Sequence, residues 1–152
     1  MEVDGLSRVT HEDADVLLKL TQTTDTPQMQ EAMDWFSKEF SAKDYKEFRK
    51  KYPIGSEGNN NISRILVSFE LAGVLVSHGV LNEDLYFDLS GIGFIWPRLE
   101  KIVAGMRKEM DESLFENAVW LAERQKKWHK EVWRPNLTWK LKQVNGKSIK
   151  KK

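Results

Sequence analysis

The feature that most constrains this chain is one long apolar stretch, residues 61–79, with the sequence NISRILVSFELAGVLVSHG. Its aliphatic and aromatic residues fall on nearly every side of a helix, which is typical of a helix buried on several faces. Glu70 is its one carboxylate, and Ser63 and Ser77 lie seven residues away on either side, so these three residues share one side of the helix. The pattern predicts a central helix that is wrapped by its neighbours and carries one narrow polar stripe.

Length and composition favour a single domain with its own core. A chain of 152 residues is long enough for one such domain, and the absence of cysteine excludes disulfides, zinc–thiolate sites and cysteine nucleophiles. The N-terminal segment is acidic and has no apolar region of a secretion signal, and Arg64 and Glu70 interrupt the longest apolar run. We therefore expect a soluble, cytoplasmic protein without a membrane segment.

The net charge of +1 conceals an uneven distribution. Residues 1–125 contain 14 Lys and Arg against 22 Asp and Glu, whereas residues 126–152 contain 10 against one. An acidic body with a basic end indicates an arm that meets an anionic partner, folds back on its own body or contacts a neighbouring copy.

Capping residues and apolar spacing predict three helices before the central one. Thr10 with Asp13 marks the start of the first helix, and Thr26-Pro27 marks the start of the second. The third covers about 41–52 and is surrounded by lysine and arginine. Such a basic cluster could touch phosphate, but it is more typical of a solvated helix face.

Glycine, asparagine and proline organise the remaining segments. The polar, glycine-rich segment 55–61 is predicted to be a flexible connector, and Asn82 is a suitable cap for a short helix at 82–89. Helical spacing continues over 92–110, where Pro97 either starts the helix or kinks it. A last helix is predicted for about 111–133.

Together these elements predict an all-α fold. We expect an antiparallel helical bundle around the buried central helix at about 61–79, followed by an extended basic C-terminal tail. Residues 1–134 are predicted to form a single helical domain, in which a front three-helix piece (10–53) docks on the bundle (61–134).

The tail, residues 135–152, has a different pattern. Its first part, PNLTWKLKQV, alternates apolar and polar residues with the period of a strand, and the lysines beyond Gly146 are predicted to be disordered. An extended segment must lie on the bundle, pair with a copy of itself or add to another sheet edge, because its backbone groups need partners.

The central helix and the segments after it contain several recognisable motifs. They are NISRILVSFELAGVLV from Asn61, GVLNEDLYFD from Gly79, Trp96, Pro97, Arg107 and FENAVWLAER from Phe115. With these motifs the chain resembles, over about residues 10–125, the bacterial and archaeal family called domain of unknown function 4760. The resemblance implies a prokaryotic helical domain and brings no established reaction, ligand or catalytic residue. Many relatives look as though they have an N-terminal membrane helix, a pattern from which this chain departs.

Glu70 is the first candidate for a polar site. A carboxylate in a buried helix needs a partner, and Arg98, Arg107 or Arg124 could supply bidentate hydrogen bonds. A structural ion pair is favoured over a general base, because a buried charge must be paired whatever the protein does. Our hypothesis is that Glu70 pairs with Arg107.

Other polar residues give little support for catalysis. Asp84 and Asp88 are four residues apart and could help bind a metal, but a cap and an exposed charge are favoured because no Glu-x-x-His motif or second pair accompanies them. His11, His78 and His129 lack the spacing of a zinc site, and no nucleophile elbow or triad pattern occurs. No metal, cofactor or catalytic residue is predicted.

Cationic and indole side chains interleave near the C-terminal end. Lysine and arginine can neutralise phosphates while an indole stacks on an unpaired base, so this mixture could bind nucleic acid. The favoured alternative is that the tryptophans cover the bundle and the lysines keep the protein soluble, since no standard nucleic-acid motif is present. The candidate residues, which could equally contact a protein partner, are Lys126, Lys127, Trp128, Lys130, Trp133, Arg134, Trp139, Lys140 and Lys142.

The function favoured by the sequence is a non-enzymatic protein-interaction or regulatory module that binds a protein partner or itself. An aromatic-rich face, a strand-like tail without a partner and the lack of a catalytic constellation support this interpretation. Nucleic-acid binding through the tail is the alternative. An enzyme with a polar site around Glu70, Asp84 and Arg107 is the third possibility, because buried polar groups sometimes mark sites.

Overall fold

The computed structural model describes residues 8–132, and this part of the chain is all-helical. It contains eight α-helices and one 3-10 helix and no strand. The elements are α1 His11–Thr24, α2 Pro27–Lys38, α3 Tyr45–Lys51, α4 Glu57–Ser77, α5 Glu83–Leu89, α6 Ile92–Ile95, the 3-10 helix Trp96–Arg98, α7 Glu100–Glu109 and α8 Glu116–Glu131.

The strand-like tail and five of the candidate binding residues fall outside the described residues. These five residues are Trp133, Arg134, Trp139, Lys140 and Lys142.

Local capping sets the starts of the front helices as predicted. Thr10 and Asp13 form a reciprocal capping box at α1, and the Thr26 side chain accepts a hydrogen bond from the first turn of α2. The third helix is shorter than expected. It begins at Tyr45, because the carboxylate of Asp44 caps the helix by accepting the Glu47 amide at 2.8 Å.

The prediction of a flexible connector at 55–61 is wrong. Ser56 caps α4 by accepting the Asn59 amide at 3.3 Å, so most of this segment forms the first turn of the helix. Gly58 is buried there, and a Cβ atom at this position would lie 2.9 Å from Cζ2 of Trp35. The glycine is therefore needed for close packing against an aromatic ring rather than for flexibility.

The two later helical segments are interrupted. Pro97 lies in the 3-10 turn between α6 and α7, so the apolar pattern over 92–110 is bent rather than continuous. The last helix starts later than predicted, because Asp111 accepts the Ser113 amide at 2.7 Å in a turn that precedes it. Phe115 then has a left-handed backbone, with φ 52° and ψ 32°, and α8 follows.

A single hydrophobic cluster joins the front helices to the rest of the bundle. Helix α4 packs on α2 and α8, α3 packs on α7, and α1 contacts α5. This arrangement is a helical bundle with α4 at its centre, as predicted, whereas the division into a domain at 1–134 and a separate tail stays a prediction. The buried residues of α4 are Gly58, Asn61, Ile62, Ile65, Leu66, Phe69, Ala72, Gly73 and Val76.

Candidate interaction surface

Glu70 of α4 caps the first turn of another helix, α8. One carboxylate oxygen accepts the backbone amide of Ala118 at 2.9 Å, and the other accepts Nδ2 of Asn117 at 2.8 Å. The first amides of a helix have no partner within it, and Phe115 at the start of α8 supplies no side-chain cap. A negative charge also suits the positive end of the helix dipole. Glu70 is therefore a cap donated from one helix to another.

The predicted ion pair between Glu70 and Arg107 is wrong. Nη1 of Arg107 donates to the carbonyl of Leu114 at 3.0 Å, in the turn before α8. Arg98, another proposed partner, donates from Nη2 to the carbonyl of Phe40 at 2.7 Å. The Glu70 carboxylate therefore takes its two hydrogen bonds from the first turn of α8 rather than from a guanidinium.

The backbone of α8 meets the backbone of α4 at Gly73, one turn after Glu70. Gly73 is buried, and a Cβ atom there would collide with the carbonyl group of Asn117. A residue without a side chain is thus required where the two helices touch. The sequence analysis identified Glu70 but missed Gly73 and Asn117. A small residue, Gly73, close to the isolated carboxylate of Glu70 was the signal that could have indicated this helix contact.

Asp84 is buried, and its Oδ1 accepts the indole N–H of Trp128 at 2.7 Å. The Trp128 ring is 5% exposed and packs beside Phe87, with ring centroids 5.6 Å apart. Asp84, one of the buried polar candidates of the sequence, is thus buried, but the cap of α5 is Asn82 rather than Asp84. Asp88, which was also a candidate, is exposed. Trp128 forms part of the core, so it is not available to stack on a base.

Part of the predicted basic surface of α8 is neutralised within the bundle. Nε and Nη2 of Arg124 donate to the two carboxylate oxygens of Glu83 at 2.7 and 2.6 Å, and this contact raises the pKa of Arg124. Lys126 lies 2.8 Å from Glu123 and 3.4 Å from Glu100, and its pKa is raised chiefly by the contact with Glu123. The exposed members of the predicted set in this helix are Lys126, Lys127 and Lys130.

One side of α4 is open to solvent. Val67 is 58% exposed, Leu71 is 38% exposed and Val74 is 36% exposed, so the expectation that this helix is wrapped on nearly all sides is wrong for these residues. They lie at positions i, i+4 and i+7 and therefore form one stripe along the helix. We call Val67, Leu71 and Val74 the apolar row.

A groove of about 370 Å³ runs beside the apolar row, where the end of α1 and the start of α2 approach α4. It has one charged residue, Arg64, whose Nη1 donates to Oδ1 of Asn61 at 3.1 Å. The proportion of charged residues in the groove is therefore low, since 31% of the residues in the chain are charged. The residues that line the groove are Thr23, Thr24, Thr26, Gln28, Met29, Arg64, Val67, Ser68 and Leu71.

Residues 8–132 contain neither a membrane-spanning helix nor a cluster of metal ligands. None of the helices in this part of the chain combines the length and apolar character needed to cross a membrane. Nor does any group of three or more histidine, aspartate or glutamate residues there have the arrangement of a metal site.

The fold and surface define a class of small helical bundle whose central helix is packed on one side and open on the other. A family model described as a domain of unknown function (DUF4760) matches residues 9–128. The chain therefore belongs to the DUF4760 family, and the resemblance found in the sequence is confirmed. No curated protein and no solved structure gives a significant match to the chain.

Proposed function

We propose that this protein is a non-enzymatic interaction module that forms a homodimer through the apolar row of α4. The observation that carries this proposal is the exposure of Val67, Leu71 and Val74 on the helix whose opposite side forms the core. Removing such aliphatic surface from water is favourable by about 25 cal/mol per Å². An exposed row of this kind is therefore a candidate for contact with another apolar surface.

The spacing of the apolar row suits contact with a helix. Its three members recur at i, i+4 and i+7, the pattern by which one helix presents anchors to another. At a rise of about 1.5 Å per residue, the row extends about 10 Å along α4. The groove beside it supplies further uncharged surface from α1 and α2.

Charge favours a second copy of the same chain as the occupant. Between Arg64 and His78, α4 contains one charged residue, Glu70, and its carboxylate is bonded to α8. An isologous contact would pair the same surface on both copies, so an uncharged row would meet an uncharged row. Depletion of charge is also typical of the buried centre of protein interfaces.

A twofold axis near Leu71 gives this contact a simple geometry. In an antiparallel crossing centred on Leu71, Val67 of each copy comes close to Val74 of the other. Packing two helices by their side-chain ridges brings their axes to about 8–10 Å. Arg64 and His78 would then lie at the ends of the contact rather than in its centre.

The described residues offer less support for the two alternatives. Nucleic-acid binding is less well supported because Trp128 is buried and cannot stack on a base. Lys126, another candidate, is already paired with Glu100 and Glu123. An enzymatic role for Glu70 would require its carboxylate to leave the amides of α8.

Sedimentation equilibrium of the full chain tests the proposal. We expect the wild type to approach the mass of a dimer as its concentration rises and Leu71→Glu to keep the mass of a monomer, because a carboxylate buried in an apolar contact is strongly unfavourable. Ile54→Glu is the matched control, since Ile54 is 89% exposed and lies outside the apolar row. This variant should associate like the wild type.

Circular dichroism should give the same helical content for all three proteins, because both substituted side chains are exposed in the protomer. A wild-type protein that stays monomeric over the whole concentration range would overturn the proposal. So would a Leu71→Glu variant that is folded and still dimeric.

A further inference from the structure

A second surface differs from the apolar row because it is positively charged. A cleft of about 490 Å³ opens between the segment after α2 and the 3-10 turn before α7. This volume is within the range of about 300–1,000 Å³ that is usual for small-molecule sites. Three of its lining residues are cationic and none carries a carboxylate. The cleft is lined by Phe40, Ser41, Ala42, Lys43, Pro97, Arg98 and Lys101.

The guanidinium of Arg98 is held in place in this cleft. Its Nη2 donates to the carbonyl of Phe40 at 2.7 Å, and its central carbon lies 4.3 Å from the ring centroid of Phe36 and 5.5 Å from that of Phe40. A guanidinium has five N–H donors, and this carbonyl takes one hydrogen bond from them. The contacts with two aromatic rings restrain the remaining donors before any ligand arrives.

The positive charge of the cleft is not neutralised by ion pairs within residues 8–132. Arg49 and Lys51 of the neighbouring helix α3 each pair with a glutamate, at 2.9 and 2.6 Å. Lys43, Arg98 and Lys101 form no ion pair with any residue in that part of the chain. The fold thus brings together three cations that form no ion pair, from two segments that are far apart in the sequence. The Glu47 carboxylate, which accepts the Lys43 backbone amide at 3.0 Å and is itself paired with Lys51, offsets part of the Lys43 charge.

We propose that this cleft binds the phosphoryl group of a small molecule. The planar fork of Arg98 matches two oxygens of a phosphate, and Lys43 and Lys101 add point charges that neutralise the remaining oxygens. Ser41 contributes a hydroxyl group to the same wall. The apolar side chain of Pro97 offers a surface for the part of the ligand that carries the phosphate.

The sequence contains a cluster of basic residues around the third helix that could touch phosphate. Within this set, Lys43 lies in the cleft, whereas Arg49 and Lys51 are paired and lie outside its lining. The residues that complete the site, Arg98 and Lys101, come from beyond α4. Their proximity to Lys43 depends on the packing of α3 against α7.

Calorimetric titration of the full chain with inorganic pyrophosphate at low salt tests the proposal. We expect saturable binding of one anion per chain, weakened by added salt because exposed charges are screened. Arg98→Lys keeps the charge but loses the fork, and we expect at least about a tenfold weaker affinity, as for the loss of a hydrogen bond to a charged group. Lys101→Gln removes a cation and should also weaken binding.

Lys101→Gln keeps the test independent of folding, because Lys101 is exposed while Arg98 also contacts the Phe40 carbonyl. Lys19→Gln is the matched control, since it removes one exposed lysine from α1 and should leave the affinity unchanged. The absence of binding at low salt would overturn the proposal, as would equal affinities for the wild type, Arg98→Lys and Lys101→Gln.

A phosphate group could also belong to a lipid. Co-sedimentation with phosphatidylcholine vesicles that contain phosphatidic acid separates the two sources. The proposal requires that pyrophosphate binds to the protein in solution. It also requires that the fraction of wild type that sediments with these vesicles is no larger than the fraction of Lys101→Gln. Vesicle binding that depends on Lys101, without binding of pyrophosphate, would overturn the proposal in favour of a lipid headgroup.

Discussion

The two sides of α4 carry similar aliphatic side chains but have different surroundings. Ile65 and Leu66 are fully buried, whereas Val67 is 58% exposed, although the three are consecutive. The buried side also contains Glu70 and Gly73, which hold the first turn of α8 against it. Val67 and Leu71 of the apolar row instead line the groove beside α1 and α2. Apolar content thus predicts that α4 has a large apolar surface, but it does not predict which side is buried. The small and polar residues, Gly73 and Glu70, mark the side that packs inside the protomer.

The largest expected effect comes from removing the same kind of side chain from each side. Ile65→Ala should lower the free energy of unfolding by about 2–5 kcal/mol, because it leaves a cavity in the core. Val67→Ala should change it by less than about 0.5 kcal/mol, as is usual for a surface position. Urea denaturation at low protein concentration measures both values without a contribution from association. Equal losses for the two variants would remove the distinction between the sides.

A smaller effect is expected where α8 touches the backbone of α4. Gly73→Ala should lower the free energy of unfolding by about 1–3 kcal/mol, because the added methyl group collides with the Asn117 carbonyl and overpacks the contact. Gly91→Ala is the control, since a Cβ atom there meets nothing closer than Ile95 Cδ1 at 3.9 Å. Thermal unfolding of both variants checks the difference. A Gly73→Ala protein as stable as Gly91→Ala would mean that the helices are not in close contact.

The cap between helices should have the smallest effect of the three. Glu70→Ala removes the acceptor for the Ala118 amide, and the loss of such a cap costs about 0.5–2 kcal/mol. Glu70→Gln keeps one side-chain oxygen as an acceptor and should lose less stability. Hydrogen exchange at the Ala118 amide reports the cap directly, and it should become faster in Glu70→Ala. Unchanged exchange would show that another group protects this amide.

Much of the helical architecture could be predicted because helix starts depend on local residues. Thr10 with Asp13, Thr26 with Pro27, and Asn82 all mark helices that the structure contains. The segment 55–61 misled the prediction because its composition is that of a loop. Its glycine is instead required because the rings of Tyr52 and Trp35 pack against it, and Trp35 lies far from it in the sequence.

The partners of the polar residues could not be predicted to the same extent. One of the two donors to Glu70 is a backbone amide, and every residue type except proline has this group. The sequence therefore identified an unusual carboxylate without its partner, and the choice of Arg107 was wrong. Trp128 and Asp84 were assigned to different sites because nothing local links two residues that meet only through tertiary packing.

The contact between copies can be tested most directly with a single introduced cysteine, because the chain has no cysteine of its own. Leu71→Cys places a thiol near the proposed twofold axis, where the same residue of two copies comes close enough to form a disulfide. Mild oxidation should convert this variant into a covalent dimer, while Ile54→Cys, a control at a more exposed position outside the apolar row, should stay largely monomeric. A Leu71→Cys protein that does not cross-link, or one that cross-links no faster than Ile54→Cys, would contradict the proposed pairing of α4 with its copy.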